Sequence, residues 1–114
     1  EYLFYLGFIQ AHLGWTEEAI QTLTKYKMKE KDRGLISTTS GLLADIYHNE
    51  RMLFDAVSEI SKALVIEPDC SLIQKKAEEI LDDLNHYYSV IAVFLIGLLM
   101  MNTMNGGLYV KYPE

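Results

Sequence analysis

The sequence predicts an all-α protein, and three features of the chain support this prediction. Apolar residues recur at three- and four-residue spacing through residues 1–86, as they do on the buried face of a helix. The same stretch has no run of alternating β-branched residues between turn signals, which strands would require. The only prolines are Pro68 and Pro113, and the one glycine pair follows the last apolar run, so helix breakers are rare.

The first two helices are predicted on either side of a glycine. Residues 2–13 carry an apolar helical stripe, and Gly14 is placed where a helix-ending glycine is expected. Thr16 is predicted to cap the second helix, residues 16–29, whose first turn is acidic and so complements the helix dipole. A charged turn is predicted over residues 31–34.

Three further amphipathic helices are predicted after this turn. They cover about residues 37–49, 53–66 and 72–86, and Pro68 separates the last two because proline cannot continue a helix. Asp69 or Ser71 is expected to cap the fifth helix. Its predicted inward residues are Ile73, Ala77, Ile80, Leu81 and Leu84.

An internal repeat relates the first two predicted helix pairs. Residues 6–20 align without a gap on residues 43–57, an offset of 37 residues. Aligned positions carry residues of the same type, because Leu6 aligns with Leu43 and Ala19 with Ala56. The sequence therefore predicts two consecutive copies of one helix-turn-helix design.

This repeat resembles the tetratricopeptide repeat (TPR), whose pattern combines small residues at helix contacts with a tyrosine and a final proline. The second copy carries nearly the whole pattern, in Leu43, Ala44, Tyr47, Ala56, Ile60, Ala63 and Pro68. The first copy departs from it: Gln10 replaces the tyrosine, Tyr26 the second alanine and Lys31 the proline.

The resemblance implies a TPR-like α-solenoid of two helix-turn-helix repeats with a capping helix and a C-terminal hydrophobic helix. The predicted domain is residues 1–86, with repeats at about 1–34 and 37–70 and a cap at about 71–86. A hydrophobic helix, residues 87–104, and a short polar tail, residues 105–114, follow. Because the chain begins at Glu1 rather than at methionine, we expect a fragment or a processed product. Either further repeats precede it, or two repeats close on themselves.

The resemblance also implies a binding surface on the first helix of each pair, where TPR domains hold a peptide or a partner helix. The matching positions here are Phe4, Phe8, His12, Asp45, His48 and Asn49. Phe4 and Phe8 suit an apolar or amphipathic ligand, although both rings could instead pack against an upstream helix. The basic residues of TPR domains that clamp acidic chaperone tails are missing from these positions.

Other chemistry is not expected. The formal charge of −6 speaks against nucleic acid as a partner, because phosphate binding requires a cationic surface. No metal-binding, phosphate-binding or nucleophile motif is present, so we expect no enzyme, no metal and no cofactor. The single cysteine, Cys70, excludes an intrachain disulfide.

The hydrophobic run near the C-terminus leaves three interpretations. Residues 87–110 carry no charge, and residues 90–101 are apolar on all sides, so lipid or another protein must cover them. The first interpretation is a C-terminal membrane anchor through residues 87–104, with Tyr87, Tyr88 and Tyr109 at the interfaces. This architecture is similar to that of tail-anchored TPR adaptors of the mitochondrial fission type. The second is a helix docked in an apolar groove of this chain or of a neighbouring subunit, which in the latter case forms an oligomer contact. The third is a non-native C-terminus that results from a truncated or altered reading frame.

The function expected from the sequence is therefore binding. The chain is predicted to be a protein-protein interaction adaptor at the cytoplasmic face of an intracellular membrane. The alternative is a cytoplasmic fragment of a larger TPR scaffold, whose apolar helix packs on another subunit.

Overall fold

The computed structural model describes residues 2–105, with the side chains of residues 2–101. These residues form five α-helices: α1 (Tyr2–His12), α2 (Thr16–Lys29), α3 (Arg33–Asn49), α4 (Leu53–Ile66) and α5 (Ser71–Asn105). Every regular element in this range is helical, which confirms the all-α prediction. The predicted polar tail from residue 106 onward, including Tyr109, lies outside the described residues.

The two helix pairs, α1–α2 and α3–α4, have the same backbone at an offset of 37 residues. Helices α2 and α4 begin and end at equivalent positions, and so do the C-terminal ends of α1 and α3. The connecting turns agree in detail. Gly14 (φ 85°) and Arg51 (φ 63°) are both left-handed, and the next residues, Trp15 and Met52, have φ/ψ of −83°/71° and −89°/73°. The repeat recognised in the sequence is therefore also a repeat of conformation.

Two predicted helix starts are corrected. Trp15, not Thr16, precedes α2 at the cap position and makes no side-chain capping hydrogen bond; Thr16 is the first helical residue. Helix α3 begins at Arg33, four residues before the predicted start and inside the predicted turn. The cause is Asp32, whose side chain accepts a hydrogen bond from the Leu35 amide at 3.1 Å and caps the helix.

The fifth helix is longer than predicted, because the cap helix and the hydrophobic helix form one continuous element, α5. No proline or glycine separates the amphipathic part from residues 90–96, so nothing in the chain breaks the backbone hydrogen bonds there. Ile73, Ala77 and Ile80 are buried as predicted, but Leu81 is half exposed.

The core of the first unit consists of two clusters, and the half-buried Tyr47 packs against both of them. Ala19 and Leu23 of α2 pack with Leu43 and Ile46 of α3. A second cluster joins α3 and α4 to α5, and its buried members are Ala44, Ala56, Ile60, Ala63, Ile73, Ala77 and Ile80. The three alanines of α3 and α4 in this cluster are fully buried, so larger side chains there would force the neighbouring helices apart.

A polar cluster ties the two helix pairs together. The Lys27 ammonium of α2 lies 2.6 Å from the Glu59 carboxylate of α4 and donates to the Ser40 hydroxyl of α3 at 3.2 Å. Both charged side chains are mostly buried, with 15% and 12% of their surface exposed. The charges of Lys27 and Glu59 are therefore compensated by each other and by the Ser40 hydroxyl rather than by water.

The described residues divide into two compact units, 2–81 and 82–105. The first contains both helix pairs and the start of α5, and the second is the remainder of α5. The domain boundary that the composition indicates, between residues 86 and 87, stays a prediction.

Candidate binding groove on the first-helix face

Helices α1, α3 and the start of α5 lie side by side on one face of the first unit. The start of α5 runs parallel to α3: Cys70 and Ile73 share a cavity with Ser37, near the beginning of α3, while Lys76 contacts Asp45 further along. The start of α5 therefore lies beside α3. This arrangement leaves two shallow depressions between neighbouring helices.

The first cavity, of about 390 Å³, lies between α1 and α3. It is lined by Ala11, His12, Gly14, Thr16, Leu42, Asp45, Ile46, Asn49 and Glu50. The Thr16 hydroxyl donates to the Glu50 carboxylate at 3.4 Å and closes one end. The walls combine aliphatic groups with carboxylates, so the cavity suits a partly apolar ligand with a cationic or hydrogen-donating group.

The second cavity, of about 360 Å³, lies between α3 and α5 and reaches Ile60 of α4. Its lining includes Leu42 and Asp45, which also line the first cavity, so the two depressions adjoin. Gly41 forms part of its floor, and a side chain added there would point into open space, with no atom within 4 Å of its Cβ. This cavity is the more apolar of the two.

Charge is concentrated where the two cavities meet. The Lys76 ammonium lies 2.6 Å from the Asp45 carboxylate and 3.3 Å from Glu79. Partial burial alone would lower the pKa of Lys76, but the hydrogen bond and charge of Asp45, with a contribution from Glu79, raise it above its ordinary value. Lys76 therefore stays charged at neutral pH, and this ion pair crosses the groove between α3 and α5.

The structure places the six predicted binding residues in different settings. His12, Asp45 and Asn49 line the first cavity together. Phe8 lies beside it, 41% exposed, with its ring 4.3 Å from the His12 ring, and the His12 Nδ1–H donates to the Phe8 carbonyl at 3.2 Å. Phe4 instead packs on the core, with its ring centroid 5.9 Å from that of Tyr26. His48 is half-buried and lines neither cavity.

Two residues that shape the groove, Gly41 and Lys76, are not among the six predicted binding residues. The TPR resemblance maps Gly41 to the first-helix face but does not include it among the six, and it gives no sign of the cavity above Gly41. The available signal is the repeat alignment, which places Gly41 opposite the bulky Phe4. Helical periodicity puts Lys76 on the solvent face of the fifth helix. Its pairing with Asp45 depends on how α5 packs, which periodicity alone does not fix.

The second unit, the remainder of α5, differs from the first in that its exposed surface is mainly apolar. One helix of the described residues, Ser71–Met101, is long and apolar enough to cross a membrane, and no residue of its most apolar window is buried. Exposed apolar side chains surround residues 90–101: Val93 is 70% exposed, Phe94 65% and Met101 60%. Helix α5 carries no charged residue beyond Asp83.

Among the described residues, no three metal-ligating side chains come together. Comparisons of the chain with protein-family models, with curated proteins and with solved structures find no match.

Proposed function

We propose that this chain is a TPR-like adaptor that binds a partner peptide or helix in the groove along α1, α3 and α5. The observation that carries the proposal is the pair of adjoining cavities on one helix face, which share Leu42 and Asp45. The matching conformation of the two helix pairs supports the TPR resemblance, because repeat stacking places the first helices of successive pairs on a common face.

The groove chemistry suggests the kind of partner. Gly41 and the aliphatic groups around it offer space for an apolar or aromatic side chain. Glu50, on the wall of the first cavity, favours a basic side chain on the same ligand, because Asp45 is already paired with Lys76. An amphipathic helix with a lysine or arginine beside its apolar face meets both requirements.

The variant Gly41→Phe tests the proposal. Phe4 occupies the equivalent position of the first helix pair, and a phenylalanine ring at position 41 should fill the second cavity. Peptides are selected from a display library of amphipathic helices on the full chain in a mild detergent, and Gly41→Phe is then compared with the unaltered chain. We expect affinity to fall by about tenfold or more, because the ring occupies the ligand's space. The control is Thr24→Phe, on an exposed position of α2 away from both cavities. Equal binding by Gly41→Phe and the unaltered chain would remove the second cavity from the proposal.

We further propose that the apolar end of α5 anchors the adaptor in a membrane. Residues 87–105 are helical and uncharged, and 19 residues at 1.5 Å per residue span about 28 Å, close to the thickness of a bilayer core. Tyr87 and Tyr88 begin this segment, and aromatic residues of this kind favour the membrane interface.

Alkaline extraction of membranes tests the anchor, with the full chain compared with a chain lacking residues 87–114. The full chain should stay in the pellet, while the shortened one is released. Release of both would favour the alternative, in which the apolar helix packs on another subunit of a larger scaffold.

A further inference from the structure

One side of helix α1 presents an apolar row to solvent. Its members alternate at four- and three-residue spacing, which keeps them on one side of a helix, and they are here called the α1 row: Tyr2, Leu6, Ile9 and Leu13. Tyr2, Ile9 and Leu13 are 75%, 54% and 58% exposed. Leu13 lies just past the end of α1, but its amide donates to the Ile9 carbonyl at 3.0 Å and so extends the last helical turn. The row lines neither cavity of the groove and is a separate surface.

The equivalent row of α3 is covered by another helix. At the offset of 37 residues, the first three members of the α1 row correspond to Thr39, Leu43 and Ile46, and all three are buried. Leu43 and Ile46 pack with Ala19 and Leu23 of α2. The start of α5 is covered by α4 in the same way. Among residues 2–101, no helix covers this side of α1, so its row is a helix-packing surface without an occupant.

The α1 row also lacks charge. Between Tyr2 and Ala11, α1 carries no charged side chain, and Tyr5, which adjoins the row, is 60% exposed. A helix that is apolar on every side is normally buried on every side. An uncharged row can also meet an identical row, because no like charges are brought together.

We infer that the α1 row packs against the α1 row of a second copy of this chain, with the two helices antiparallel. The spacing of the row is four, three and four residues, so it reads the same in both directions. When one helix is reversed, Tyr2 lies opposite Leu13 of the second copy, and Leu6 lies opposite Ile9. This is the self-complementary contact that a two-fold symmetric dimer requires. Within the first unit of the second copy, α2 and α4 already pack against α3 and α5, so α1 is the helix that it offers.

The area of the row is sufficient for a specific contact. At about 200 Å² for a fully exposed large apolar side chain, the exposed fractions of Tyr2, Tyr5, Ile9 and Leu13 amount to roughly 500 Å². Two copies would together bury about 1,000 Å², which is the lower limit for a specific protein interface. The dimer should therefore form reversibly and depend on concentration.

Analytical ultracentrifugation of the full chain in a mild detergent, over a range of protein concentrations, tests this contact. We expect a reversible dimer. Ile9→Glu should raise its dissociation constant by about a hundredfold, because each dimer would bury two new carboxylates in an apolar contact. The matched control is Val65→Glu, which places the same charge on a 76% exposed β-branched residue of α4 and should leave the dimer unchanged.

Tyr2→Glu is the second variant, because Tyr2 is the most exposed member of the row and contributes least to packing within one copy. It should also separate the copies. Helical circular dichroism verifies that each variant is folded, and if Ile9→Glu unfolds the chain, Tyr2→Glu decides.

Cysteine cross-linking tests the direction of the two helices, in a chain whose one native cysteine is removed by Cys70→Ser. The double variant Tyr2→Cys with Leu13→Cys should form a disulfide-linked dimer. Tyr2→Cys alone should not, because the two copies of residue 2 are about 16 Å apart along antiparallel helices.

A chain that is monomeric at every concentration overturns the inference and leaves the α1 row to a helix of another protein. A dimer that persists in both Ile9→Glu and Tyr2→Glu also overturns it, because another surface, such as the apolar end of α5, then holds the copies together. Cross-linking by Tyr2→Cys alone would overturn the antiparallel arrangement.

Discussion

The first helix pair, α1–α2, and the second, α3–α4, share one backbone but fill it with side chains of different size. In the first pair the rings of Phe4 and Tyr26 lie 5.9 Å apart and close the space between the helices. The equivalent residues of the second pair, at an offset of 37, are Gly41 and Ala63. A cavity of about 360 Å³ opens above Gly41.

The opposite substitution occurs one turn further along. Gly7 of the first pair lies so close to Leu23 that an added Cβ would be 2.6 Å from its Cγ, whereas the second pair accommodates Ala44 against Ile60. The first pair thus carries the larger residues at Phe4 and Tyr26 but the smaller residue at Gly7. The two helix pairs therefore follow the same backbone path but differ in the space that they leave for a ligand.

Removing the aromatic ring of the first pair should have the largest effect on stability. Tyr26 is 4% exposed, so Tyr26→Ala leaves a large cavity and should lower the free energy of unfolding by about 3–5 kcal/mol. Chemical denaturation of the full chain in a mild detergent, followed by circular dichroism, measures this loss. Ala63→Gly at the equivalent position should cost only about 1 kcal/mol. Similar losses at the two positions would contradict the assigned difference in packing.

Adding a side chain at Gly7 should have the next largest effect on stability. Gly7→Ala forces its Cβ against Leu23 and should lower the free energy of unfolding by about 1–3 kcal/mol, despite the better helix propensity of alanine. The double variant Gly7→Ala with Leu23→Ala is the control. There the alanine at position 7 should cost nothing further, because the clashing side chain is gone. An equal cost in both backgrounds would place the strain elsewhere.

Much of this fold could be predicted from the sequence, because its helices have strong apolar periodicity and the repeat constrains their pairing. The errors arose where a local signal competed with another. Gly34 suggested a turn, but the cap at Asp32 starts α3 before it. The groove was harder to predict. His12 and Asn49 line its first cavity, but the size of the second cavity depends on what faces Gly41, and the ion pair of Lys76 depends on tertiary packing.

The two glycines of the first unit without close neighbours, Gly14 and Gly41, should differ in their tolerance of side chains. Gly14 is left-handed with no atom within 4 Å of an added Cβ, so Gly14→Ala meets only backbone strain, of about 1 kcal/mol. Gly41→Ala also enters open space, but in a helix of ordinary conformation, and should stabilise by about 0.5–1 kcal/mol. Opposite shifts of the denaturation midpoint are expected. Stabilisation by Gly14→Ala would show that the turn of the first pair is not held left-handed in solution, and destabilisation by Gly41→Ala would show that the space at Gly41 is not open.

The smallest expected effect is on the pH dependence of stability, through Glu30 at the end of α2. The Asp32 amide, the Tyr26 hydroxyl and the Lys31 amide hold the pKa of Glu30 below its ordinary value of 4.5, because all three donate to its carboxylate. A carboxyl group with a lowered pKa in the folded state stabilises that state above its unfolded pKa, and this contribution is lost as the pH falls through the folded value. Glu30→Gln should therefore lose less stability than the unaltered chain between neutral pH and the range below 4.5. Tyr26→Phe removes one of the three donors, so its acid-induced loss should fall between the two. If all three proteins lose the same stability on acidification, the carboxylate of Glu30 does not make these hydrogen bonds in solution.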